Sequence, residues 1–175
     1  MTTLRTAVLA IEDLEEGYEV NGHNEPNSNI EMKLNKGYKA LFARNDIIAG
    51  AVIFYFKGSI SRHPNKYSVQ LGIDKHIDFP PVRRPNDDLD YAWQYLNHNC
   101  EPNGYVNAAE FCFSALRNIR KGEEITFNYL TTEYELATPF QCGCGSAKCF
   151  GFIGGYKFLT ADQIAGSELL VGSLM

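Results

Sequence analysis

Three cysteines fall within eight residues of one another, in Cys142-Gly143-Cys144-Gly145-Ser146-Ala147-Lys148-Cys149. Cys142 and Cys144 are too close along the chain to pair comfortably as a disulfide. Thiols clustered this way suit a metal, above all tetrahedral zinc. The plain alternative is a set of redox-active or merely buried thiols. A closed zinc site takes four ligands, so the cluster needs one more from elsewhere. Cys112, between Phe111 and Phe113, reads instead as a small core residue of a strand. Two further stretches carry functional side chains: Asn97-His98-Asn99-Cys100-Glu101-Pro102-Asn103, and Glu124-Ile125-Thr126-Phe127-Asn128-Tyr129 some way on.

None of the three is diagnostic alone. In this order and spacing they resemble the core of the SET-domain protein-lysine methyltransferases, with its Asn-His-Ser-Cys-x-Pro-Asn signature, its Glu-Leu-Thr-Phe-Asp-Tyr signature and its post-SET Cys-x-Cys-x4-Cys. Asn99, Ile125 and Asn128 stand for the usual Ser, Leu and Asp. The likeness runs from Gly37 to Phe152 and leaves both ends unexplained.

The resemblance implies a zinc site made by Cys100, Cys142, Cys144 and Cys149, with Cys100 rather than His98 as the fourth ligand. It implies an S-adenosylmethionine site, left as S-adenosylhomocysteine after transfer, along Gly37, Tyr38, Lys39 and Ala40, with Tyr95, Asn97, His98, Tyr129 and Phe152. Ala40 replaces a family glycine. The family position that often holds a tyrosine before Gly58 is Phe56, an arginine position is Gln94, and an aromatic position is Gly154. Either Phe150 or Phe152 substitutes for that last ring, or that side of the channel is more open. Tyr129 matches the catalytic tyrosine, Tyr67 a second active-site tyrosine, and Phe127 the position where Phe accompanies products beyond monomethyl-lysine. Strand packing is the ordinary alternative for Tyr67 and Tyr129.

The chemistry demands such a site. A lysine ammonium titrates near about 10.4, and only the neutral amine can attack a methyl sulfonium. An apolar aromatic channel beside a second cation lowers that value without a strong base, and orientation by Tyr129 supplies the rest.

The elements that must position these groups read as mainly β, a β-rich α+β chain. The resemblance implies the SET fold: several small twisted sheets, a pseudoknot-like crossing of 97–103 past 126–130, and a zinc-bound C-terminal post-SET segment. The expected organisation is an N-terminal strand and surface loop over 1–30, a SET domain over 31–136, a post-SET zinc segment over 137–155, and a helix and tail over 156–175. Thr6 to Ile11 reads as a strand and Glu12 to Asn29 as a loop. Strands are expected at Ile30 to Leu34, Val52 to Phe56 (buried on both faces), Lys66 to Ile73, Gly104 to Ala108, Phe111 to Leu116 and Glu124 to Tyr129. Asp87 or Asp88 is expected to cap a helix over Leu89 to Leu96. Thr160 and Gln163 form a capping box for a short last helix, and Leu169 to Met175 reads as frayed.

The formal charge is −5 and 45% of residues are hydrophobic, which disfavours a nucleic-acid surface and suits a basic protein or peptide carrying the target lysine. Glu101, Glu110, Glu123, Glu124, Glu133 and Glu135 read either as an acidic rim for it or as a solvated acidic surface kept for solubility. The longest apolar run, Ile47 to Phe56, is too short to cross a bilayer, so no membrane is expected and the chain reads as soluble and intracellular, cytoplasmic or nuclear. No feature sets an oligomeric state. Two rivals remain: a catalytically silent SET-like binding module, favoured by Phe56, Ala40, Gln94 and Gly154, and a methyltransferase for a peptide or small molecule.

Overall fold

The computed structural model describes residues 10–22, 29–35, 37–82 and 89–166. The strands are β1 (Glu19–Asn21), β2 (Ile30–Asn35), β3 (Tyr38–Ala43), β4 (Val52–Tyr55), β5 (Lys57–Ser61), β6 (Val69–Gly72), β7 (Lys75–Asp78), β8 (Asn97–His98), β9 (Gly104–Asn107), β10 (Cys112–Ala115), β11 (Thr126–Phe127), β12 (Phe140–Gln141) and β13 (Phe152–Ile153). A single short α-helix among the described residues, α1 (Ala161–Ala165), follows them. Its Thr160–Gln163 capping box is formed in both directions. No helix among the described residues is long and apolar enough to cross a membrane.

The strands make five small sheets, ordered β1-β5-β7-β6, β4-β10-β9, β2-β3, β8-β11 and β12-β13. The first four share one core, in which Trp93, Phe56, Phe113, Leu41, Ile77 and Ile125 are fully buried. Cys112 is buried in β10, as its flanking phenylalanines implied. A second, much smaller core of Cys100, Leu130 and Ile153 underlies the cysteine cluster.

Several boundaries differ from the sequence reading. β4 was expected to be buried on both faces, yet Val52 and Tyr55 are exposed while Ile53 and Phe54 are buried. A register shift between Phe113 and Ser114 leaves Ile53 as the extra residue, and such a bulge turns two consecutive side chains inward. The helix expected over Leu89 to Leu96 is one 3-10 turn, Ala92–Tyr95. Ala92, Trp93 and Tyr95 are all buried and Trp93 Nε1 donates to the Lys57 carbonyl at 2.9 Å, so tertiary anchoring replaces an amphipathic helix face. The cap at Asp87 or Asp88, residues 6–9 of the first strand, Lys36 and the tail from Leu169 lie outside the described residues.

The loop expected over Glu12 to Asn29 holds a 3-10 turn at Ile11–Asp13 and the edge strand β1, whose three residues pair with β5. Three residues are too few to show a period. The strand expected from Lys66 begins only at Val69, because Asn65 Oδ1 accepts from the Tyr67 and Ser68 N–H groups and turns the chain there. The strand expected over Glu124 to Tyr129 stops at Phe127: Asn128 Oδ1 accepts from Leu130 N at 3.0 Å and starts a 3-10 turn, Tyr129–Thr131.

Candidate active site and metal centre

The two signature stretches meet as a parallel pair, Thr126 opposite Asn97 and Phe127 opposite His98, extended by Asn99 N–H donating to the Phe127 carbonyl at 3.0 Å. Asn103 fastens the crossing. Its Oδ1 accepts from Thr126 N at 2.9 Å and its Nδ2 donates to the Glu124 carbonyl at 2.7 Å. Beside it the Glu124 carboxylate accepts from Asn97 Nδ2 at 2.8 Å and from Asn35 Nδ2 at 2.6 Å. One half-buried carboxylate thus joins the end of β2 to the crossing.

Tyr129 leaves this crossing held at three points. Its N–H donates to His98 Nδ1 at 3.2 Å, its carbonyl accepts from Glu133 N at 2.8 Å, and its hydroxyl donates to the Leu96 carbonyl at 2.7 Å. Phe127, His98 and Phe140 surround the ring at centroid distances of 4.7, 5.2 and 6.1 Å. Burial, and then the charges of Glu133 and Glu124, push the phenol well above its ordinary range. Tyr129 is therefore a neutral hydroxyl at physiological pH. Its proton is committed to Leu96, which leaves the oxygen lone pairs as acceptors. Phe127 is buried between this ring and Phe113, 6.0 Å away.

Tyr67 does not join them among the described residues. It is 49% exposed, with its ring edge against Phe79 and the Lys66 ammonium over it. That face belongs to the Phe79, Tyr91 and Trp93 group.

Burial changes along β3, from an exposed start to a buried middle. Gly37 has φ +94°, the turn that lets β2 fold back as β3. Tyr38 and Lys39 are exposed, and the Lys39 ammonium donates to the Tyr95 hydroxyl at 3.4 Å. Ala40, on the same face of β3 as Tyr38, is fully buried in the core. At the other wall, a Cβ on Gly154 would lie 2.5 Å from the Phe152 ring and 2.9 Å from that of Phe158. An aromatic side chain has no room there. Phe152, 46% exposed, is the ring presented, while Phe150 packs on the small core under the cysteines.

The four cysteine sulfurs lie within 4.8 Å of one another. Cys100 Sγ is 3.9 Å from the sulfurs of both Cys142 and Cys149. Metal–sulfur bonds of about 2.3 Å in a tetrahedron put the sulfurs about 3.8 Å apart, so the set fits zinc. Burial pushes the Cys100 thiol well up and that of Cys142 up to about 11. Burial opposes ionisation of Cys144 as well, but hydrogen bonds, first from the Ser146 backbone, bring it down to about 7. Four thiolates so close together require a cation between them. His98 is not in the set: burial holds its imidazole down to about 4, and its Nε2 lies 3.2 Å from Cys100 Sγ.

Residues 37–130 match the SET domain family model. The chain belongs to the SET domain family. It is 31% identical over 150 residues to a histone-lysine N-methyltransferase, H3 lysine-36 specific, of Yarrowia lipolytica, covering 75% of this chain and 19% of that one. To the enzyme of the same description from Chaetomium globosum it is 43% identical over 125 residues, covering 63% and 14%. The chain thus spans less than a fifth of those relatives' length. Among solved structures, KRYPTONITE in complex with mCHG DNA and SAH superposes with a TM-score of 0.54 at 20% identity, over 71% of this chain and 28% of that one. The expected SET fold of small sheets is the fold observed.

Two features of this SET domain escaped the sequence reading. Asn35 and Glu124 are 89 residues apart, and nothing local marks them as partners. Glu133 was placed on an acidic rim but is buried at 4% exposure. Its Oε1 accepts from Gln70 N at 2.9 Å, and Tyr134 N donates to Gln70 Oε1 at 2.8 Å, so the Tyr129 turn is stitched to the edge of β6. Of the six rim glutamates only Glu101, Glu110 and Glu135 are exposed.

Burial pushes the Glu133 carboxyl up to about 7, against the hydrogen bonds from Gln70 and Thr132. Between its ordinary value near 4.5 and about 7 the folded chain holds a proton that the unfolded chain releases. Stability therefore falls as pH rises through that window, by about 3 kcal/mol for this group at 1.36 kcal/mol per pH unit. Urea unfolding should show the loss between pH 4.5 and 7 in the native chain. Glu133→Gln, which keeps the acceptor but cannot ionise, should flatten that part of the profile; an unchanged slope would remove the buried-carboxylate account.

Proposed function

We propose that this chain transfers methyl groups from S-adenosylmethionine to a lysine amine of histone H3 or a similar basic nuclear protein. The observation that carries this reading is Tyr129, a neutral hydroxyl fixed at three points beside the crossing. S-adenosylmethionine, when bound, supplies a methyl group on a sulfonium and departs as S-adenosylhomocysteine. The exposed residues Tyr38 and Lys39, the Asn97 and His98 main chain and the Phe152 ring are the groups proposed to hold it.

The Tyr129 oxygen, its own proton given to Leu96, accepts from an amine N–H and aligns the nitrogen lone pair. Phe127, Tyr129 and Phe140 form an apolar wall that disfavours the ammonium, so the amine loses its proton to solvent before attack. Relatives named as H3 lysine-36 specific enzymes, and a KRYPTONITE structure holding an H3(1-15) peptide and SAH, support a histone tail as substrate.

Mass spectrometry after incubation with S-adenosylmethionine and a panel of intact histones tests the reading. Methylated H3 lysine is expected, and no modified protein in the panel, together with no heat of cofactor binding in calorimetry, would favour the silent module.

The degree of methylation follows from Phe127. A hydroxyl at its ring edge could hold a water where a methylated amine must turn, and Phe leaves that space empty. Native chain should make di- or trimethyl-lysine, and Phe127→Tyr should shift the product toward monomethyl by on the order of tenfold, the effect of about 1.4 kcal/mol. Native product that stays monomethyl under excess cofactor ends this expectation.

A further inference from the structure

Both ring nitrogens of His98 are engaged by protein. Tyr129 N–H donates to Nδ1 at 3.2 Å, and only a ring nitrogen without a proton can accept it. The proton of the neutral ring therefore sits on Nε2. Nε2 is 3.2 Å from Cys100 Sγ, so its N–H points at the sulfur. The ring is wedged edge-on between Tyr129 at 5.2 Å and Phe140 at 5.7 Å, which fixes its plane. His98 itself is registered against Phe127 in the parallel pair, so its backbone cannot drift from Tyr129.

We propose that His98 is a positioning residue that couples the cysteine cluster to Tyr129, its Nε2–H holding the Cys100 sulfur and its Nδ1 holding the Tyr129 main chain. Losing the whole ring would loosen both the metal set and the tyrosine, whereas losing one nitrogen would loosen only the partner that it holds. The consequence for turnover rests on the reading of Tyr129 as the transfer tyrosine; the consequence for metal affinity does not.

The two hydrogen bonds can be cut separately. In His98→Asn, Oδ1 can take the place of Nδ1 but nothing reaches the sulfur. In His98→Gln, the amide nitrogen can take the place of Nε2 but nothing accepts from Tyr129. Zinc affinity, measured by competition with a chromophoric chelator, should fall on the order of 10- to 100-fold in His98→Asn, the usual effect of losing a hydrogen-bond partner of a metal ligand, and stay within a few-fold in His98→Gln.

The kcat for methyl transfer should fall more in His98→Gln, with KM for the cofactor little changed. On the native chain, which needs no variant to fold, 15N NMR of the imidazole should show Nε2 protonated and Nδ1 bare, and the Nε2 signal should move when zinc is chelated. Equal zinc affinities in native chain and His98→Asn, or an Nδ1-protonated ring, would overturn the proposal. If no methyl transfer is found at all, the affinity and NMR results still decide it.

Discussion

Tyr129→Phe should lower kcat for methyl transfer by at least about 100-fold while cofactor affinity stays within a few-fold. The substitution removes only the hydroxyl. The ring keeps its packing against Phe127, His98 and Phe140, and the main chain keeps both hydrogen bonds, to His98 and from Glu133. What is lost is the oxygen that aligns the amine, and misalignment of about 1 Å costs on the order of 100-fold. The Leu96 carbonyl also loses a donor, at a stability cost of about 1 kcal/mol that thermal melting would report separately. Single-turnover kinetics at saturating cofactor isolate the chemical step. Turnover within a few-fold of native would remove Tyr129 from the reaction and leave it a packing residue.

The parts of this site legible in the sequence were those in which residue type alone carries the chemistry. Thiols at 142, 144 and 149 have few uses other than a metal, and Cys100 does lie beside them. The crossing was legible because Asn97, Asn103 and Thr126 sit in stretches whose order matches a known family, and the parallel pair lies there. What escaped was made by tertiary contact. Glu133 looks like any acidic surface residue until Gln70, 63 positions earlier, donates to it. The Ala92–Tyr95 turn looks like half a helix, but Trp93 is pinned by Lys57 and all its large side chains point inward. Tyr67 alternates as a strand residue should, yet the Asn65 side chain outcompetes the sheet for its N–H. A local pattern cannot report a partner that the chain supplies from far away.

The same division of labour predicts what metal removal does. The large core around Trp93, Phe56 and Phe113 involves none of the four metal-set cysteines. The segment from Phe140 onward rests on the small core, where burial of Leu130 and Ile153 contributes about 2 to 3 kcal/mol each. Structural zinc contributes on the order of 10 kcal/mol and so dominates the order of that segment. Backbone bonds from Leu136 N to the Gly154 carbonyl and from Tyr156 N to the Glu133 carbonyl, both 2.8 to 2.9 Å, carry the docking back to the Tyr129 turn. Gly155 makes the close approach possible, since a Cβ there would stand 2.5 Å from the Tyr134 carbonyl.

Cys144→Ser or chelation should therefore release one zinc per chain, loosen the segment so that trypsin cuts at the already exposed Lys148 and Lys157, and abolish turnover. The thermal transition of the main core should remain. Cys112→Ser, in the same chain but away from the cluster, should keep its zinc. A metal-free chain that resists trypsin at Lys148 and Lys157 and still methylates would show that the small core orders the segment unaided.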